Sequence, residues 1–140
     1  MDFLPLIDQP LKSEQIIELL EVWDLDVVYL FDRLFEGTDD EYSVEATDHG
    51  FEFTFDAAQR LATVFLYMQP RGARPAVDVS SLDVPVYDSV ETARTAFEQA
   101  GYEIKQGGQH WIKAFADGVW RHYSFDDGRA SMITLMRDPI

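Results

Sequence analysis

The sequence predicts an α+β fold made of two degenerate α-β-β-β repeats, antiparallel sheets covered by helices, in one domain spanning residues 1–140. Three observations carry this. Apolar spacing switches twice along the chain from three-and-four to two. Asp/Gly turns separate the two-period runs. Two stretches, one in each half of the chain, also match residue type in order.

The first helix opens at Ser13, a good N-cap after Pro10. Ile16, Leu19, Leu20, Trp23, Val27, Leu30, Phe31 and Leu34 then recur at helical spacing, and Gly37 is a natural stop. Whether the helix runs unbroken through Trp23-Asp24-Leu25-Asp26 stays open. From Tyr42 the period is two: Tyr42, Val44 and Ala46, then Phe51, Phe53 and Phe55 after the turn Asp48-His49-Gly50. Leu61 to Met68 is more continuously apolar, as expected of a strand covered on both faces.

Residues 70–85, with Pro70, Gly72, Pro75 and Pro85, read as a linker between pseudo-repeats at about 13–69 and 86–137. Asp88 and Glu91 have capping-box spacing ahead of a helix lined by Val90, Ala93, Phe97 and Ala100 and closed by Gly101. Strands are expected at Trp111 to Phe115, Val119 to Phe125 and Ser131 to Arg137, joined by Asp117-Gly118 and Asp127-Gly128 turns.

The repeat rests on Phe53-Thr54-Phe55-Asp56 beside Tyr123-Ser124-Phe125-Asp126. Each is followed by a turn, then Arg60 or Arg129, then an apolar run reaching Leu66 or Leu135. Phe55 and Phe125 are expected at matching core positions.

Charge narrows the function. There are 26 acidic and 11 basic residues, a net charge of -15. Such a surface repels the phosphates of nucleic acids and of anionic membranes. It favours fast encounter with a basic protein. No cysteine is present, so there is no disulfide framework or thiolate chemistry. The opening residues Met1 to Asp8 lack a basic stretch followed by an apolar one, and no apolar run approaches the ~20 residues that span a bilayer, so the expected location is the cytoplasm.

No nucleotide-binding glycine loop, metalloprotease helix or nucleophile elbow occurs. His49, His110 and His122 fall on different elements, and no cofactor, metal or catalytic site is expected. The function expected is binding, not catalysis. Candidate partner-binding residues are the acidic Asp39, Asp40, Glu41 and Glu52, with Tyr42, Trp111 and Trp120 as exposed aromatic anchors. A small-molecule-binding or regulatory domain with a pocket between sheet and helix is the alternative.

The closing segment, from Trp111 through His122-Tyr123-Ser124-Phe125-Asp126-Asp127-Gly128-Arg129 to Met136, resembles the C-terminal hairpin of small immunity proteins from bacterial polymorphic-toxin and contact-dependent inhibition systems. The helix-then-meander plan is similar to the tandem units of the β-lactamase-inhibitor-protein group. The resemblance implies a cytoplasmic inhibitor that binds a cognate toxin domain, such as a basic nuclease. It carries over no binding residue.

Overall fold

The computed structural model describes residues 1–31 and 39–137. Among them are two α-helices and one eight-stranded antiparallel sheet. Helix α1 (Glu14–Val22) is capped by Ser13, whose Oγ accepts from the Ile16 N–H at 3.4 Å. It ends at Trp23, and Asp24 follows in the left-handed region at φ 52°. The helical spacing that continues past this point is therefore not a helix. Val28–Leu30 is a strand, β1, on the edge of the sheet. Aspartates at 24 and 26 leave the helix, and the short apolar run finds backbone partners on the next strand instead. The expected helix end at Leu34 and Gly37 lies outside the described residues.

Strands β2 (Glu41–Ala46), β3 (Phe51–Phe55) and β4 (Leu61–Tyr67) follow. Helix α2 (Val90–Ala100) is capped by Ser89, whose Oγ accepts from the Thr92 N–H at 3.1 Å. The cap thus falls one residue later than the Asp88–Glu91 spacing suggested. Gly101, at φ 75°, closes the helix as expected. Then come β5 (Glu103–Gly107), β6 (Trp111–Ala116), β7 (Val119–Asp126) and β8 (Arg129–Met136). Each helix precedes four strands, not three. Strand β5 escapes the two-period reading because only Ile104 in it is strongly apolar.

The strands do not form separate sheets. Their order is β1-β2-β3-β4-β8-β7-β6-β5, with β4 and β8 paired at the centre. The two Asp-Gly turns work as read. Asp117, Gly118, Asp127 and Gly128 all have positive φ, as a tight primed hairpin turn demands. Bulges interrupt the register at Thr54/Phe55 and at Ser124/Phe125.

Alternation sends Val44, Phe51, Phe53, Val64 and Leu66 of the first half, and Ile112, Tyr123, Ile133 and Leu135 of the second, into one core. Ile16 and Leu19 of α1 and Val90, Ala93 and Phe97 of α2 belong to the same core. Phe55 and Phe125 are both buried in it, at 0% and 7% exposure. Residues 70–85 pack onto it as well, through Val77 and Val84. The Asp83 carboxylate accepts from the Phe3 and Leu4 N–H groups at 3.0 and 2.8 Å, pinning this segment to the N-terminus. At Gly50, φ 76°, a Cβ would lie 2.4 Å from the Val77 nitrogen, so only glycine lets the two segments meet.

Candidate functional site: the second face of the sheet

Because neighbours in register share a face, the other side of the sheet can be read strand by strand. It carries Glu41, Ser43 and Glu45 of β2 and Glu52 and Thr54 of β3. Thr63, Phe65 and Tyr67 of β4 meet Met136, Thr134 and Met132 of β8. Trp120, His122 and Ser124 of β7 lie beside Phe115, Lys113 and Trp111 of β6, and Glu103, Lys105 and Gly107 of β5 complete the row. Neither helix packs here. The buried residues of both helices belong to the core cluster, while Trp120 and Met136, buried on this face, stand outside it.

The second half of this face is a cation–aromatic cluster. The Trp111 ring stacks on His122 at 5.3 Å and 18° and lies directly over Gly107. Phe115 packs on Trp120 at 5.2 Å. The Lys113 ammonium sits 5.0 Å from the Trp120 ring and 5.9 Å from Trp111, and Lys105 approaches Trp120 at 5.6 Å. Neither lysine forms an ion pair among the described residues. Burial, reinforced by the Lys113 charge, pushes the His122 pKa below the ordinary histidine value.

The first half is acidic. Glu41 and Glu45 are exposed on β2, and neither is in an ion pair among the described residues. Glu52 accepts from the Tyr67 hydroxyl at 2.8 Å, and the Arg74 guanidinium lies 3.5 Å above the Tyr67 ring. Asp39 is exposed just before β2. Asp40 accepts from the Tyr29 hydroxyl at 2.7 Å, a bond that raises the Tyr29 pKa.

Of the residues singled out from the sequence, this face therefore gathers Glu41, Glu52, Trp111 and Trp120. Tyr42 points the other way. It pairs with Phe55, stacks on Tyr29 at 5.0 Å and packs against the core, where the Gln59 amide donates to its hydroxyl. Trp120 is not an exposed anchor, since only 5% of its surface is accessible. Its flanks are taken by Phe115 and the two lysine stems. Lys113, Lys105 and His122 belong to the site and were not singled out, because two-residue alternation marks a face but not which strands meet on it. The acidic and aromatic groups are not one cluster. Strands β2 and β6 stand five apart in the sheet, a separation of ~24 Å at ~4.8 Å per strand.

No family model, curated protein or solved structure matches the chain significantly. Among the described residues, no group of three or more histidines and carboxylates converges as a metal site would require, and no helix is long and apolar enough to cross a membrane.

Proposed function

We propose that the chain binds and neutralises a basic protein domain, the mode of action that its resemblance to toxin-immunity proteins implies. The observation that carries the reading is the helix-free sheet face with unpaired carboxylates at one end and aromatic rings at the other. Eight strands span ~34 Å between the outermost strand axes at ~4.8 Å each, broad enough for the ~800 Å² per partner of a stable interface. Glu41 and Glu45 supply long-range attraction to a basic partner, and Trp111 supplies a half-buried ring that a partner can desolvate.

The same reading includes descent of the two halves from one duplicated unit, here a helix and four strands. The bulges at Phe55 and Phe125 fall at equivalent places in the matched stretches. Thr134 follows Phe65 by the same interval that separates Arg129 from Arg60, and those two residues pair across the centre of the sheet. That is what a two-fold relation between the halves requires. Duplication doubles a half-sheet into one wide face, which suits docking better than enclosing a substrate.

The test is hydrogen exchange on the protein alone and mixed with the protein encoded by the neighbouring gene. Slowed exchange across β2, β3, β6 and β7 with the helices unchanged supports the reading. Protection confined to α1 and α2, or no complex at all, overturns it.

A further inference from the structure

Arg121 lies on the opposite, core-facing side of β7, between Ala114 of β6 and Leu135 of β8, with 8% of its surface exposed. No carboxylate lies within ion-pair distance, and no hydrogen bond holds its guanidinium among the described residues. Its Cζ lies 5.5 Å from the Tyr102 ring, and its charge also acts on the Tyr87 and Tyr123 hydroxyls. None of its nitrogens is sealed from solvent, so the guanidinium is reachable by water and by a ligand while no group of the described residues hydrogen-bonds it.

The guanidinium lines a cavity of about 200 Å³ between α2 and the sheet. Phe97, Tyr87, Tyr102 and Tyr123 form its aromatic walls, and Leu4, Asp83 and Ala100 are among the other residues that line it. The Tyr123 hydroxyl is used, since it donates to the Pro85 carbonyl at 2.7 Å. The hydroxyls of Tyr87 and Tyr102 make no hydrogen bond among the described residues, and burial raises the Tyr87 pKa, which keeps it a donor. Both Asp83 oxygens are taken by backbone N–H groups of Phe3 and Leu4. The cavity thus offers one cation and two free hydroxyl donors beside aromatic and apolar side chains and the Asp83 carboxylate.

We propose that this cavity binds a small aromatic monocarboxylate, its carboxylate in the fork of Arg121 and its ring between Phe97 and the tyrosines. A guanidinium presents paired donors that match the two oxygens of a carboxylate. A single cation with Asp83 on the same wall disfavours a dianion such as phosphate. The space equals roughly seven waters at ~30 Å³ each, below the size of ordinary drug pockets, so the ligand is small. The site lies across the sheet from the docking face, and neither reading depends on the other.

Benzoate is the probe, titrated calorimetrically into the wild-type protein and into four variants. Wild type is expected to bind one equivalent saturably, with acetate at least tenfold weaker because it has no ring to bury. Arg121→Met should abolish binding, since it removes the cation and its fork of donors. Arg121→Lys keeps the charge without the fork and should bind about tenfold more weakly. Ala100→Trp, at an exposed position on the rim of the cavity, should block binding with Arg121 intact. Arg129→Gln, exposed at the start of β8, should bind as wild type does. If Arg121→Met does not fold, Arg121→Lys and Ala100→Trp decide the matter alone. The proposal is overturned if wild type shows no saturable binding, or if Arg121→Lys and Ala100→Trp bind benzoate as tightly as wild type.

Discussion

The two halves of the helix-free face have the same strand plan and opposite chemistry. On β2 and β3 it presents Glu41, Glu45 and Glu52, while the aromatic ladder Phe51, Phe53 and Phe55 turns inward. On β6 and β7 the rings Trp111, Phe115 and Trp120 turn outward with Lys113, and a cation, Arg121, turns in. The backbone fixes which positions share a face, but not whether that face is wet or packed. One half keeps its carboxylates in solvent. The other packs rings against lysine stems and so contributes to stability even without a helix over it.

The largest expected contrast follows directly. Trp120→Ala, at 5% exposure, should cost about 3 kcal/mol of folding stability, as large-to-small changes at packed sites do. Glu45→Ala, exposed on the acidic half, should change stability by less than about 0.5 kcal/mol. Urea denaturation of both variants measures the difference, and equal small effects would mean that the aromatic half is not packed as described.

A smaller effect is expected at Gly107, where a Cβ would stand 2.1 Å from the Trp111 Nε1. Gly107→Ala should swing the indole off the strand, cost about 1 kcal/mol and shift tryptophan fluorescence to the red. An unchanged emission spectrum would contradict the placement of Trp111.

The His122 contribution is smaller still, and pH reveals it. Burial and then the Lys113 charge favour the neutral ring in the folded protein. As pH falls, the unfolded chain takes up this proton first. The stability tied to the neutral ring is therefore fully present above ~6.5 and is lost as pH falls from there through the lower folded-state pKa. Melting temperatures of the parent and His122→Gln should converge as the pH is lowered from 7.5 to 5. Parallel curves would remove His122 from the account.

Much of this fold is legible in the sequence, for local reasons. Phe51, Phe53 and Phe55 alternate cleanly, and Asp-Gly pairs mark the tight turns because those residues tolerate positive φ. What is not legible is set by long-range pairing. Val27, Leu30 and Phe31 continue a helical spacing, yet hydrogen bonds to β2 claim the segment as a strand. No local signal announces that β4 will find β8, so the sequence leaves two sheets and two halves of one sheet undecided. Ser89 takes the cap from Asp88 because the choice turns on local backbone geometry and not on residue type. The site is half-legible for the same reason. Glu41, Glu52 and Trp111 could be named, but the burial of Trp120 depends on Lys105 of a strand the spacing did not reveal.

Association kinetics with the neighbouring gene's protein test the central claim most directly, comparing the parent with a Glu41→Gln/Glu45→Gln double variant over a salt series. Both side chains are exposed, so exchanging them should leave the fold intact. Attraction between opposite charges is screened within ~10 Å at 0.1 M salt. The parent should therefore associate faster than the variant at low salt, and the two rates should merge as salt rises, with dissociation nearly unchanged. Equal association rates at low salt would mean that the acidic half of the face does not steer a partner, and the account of this face would be wrong.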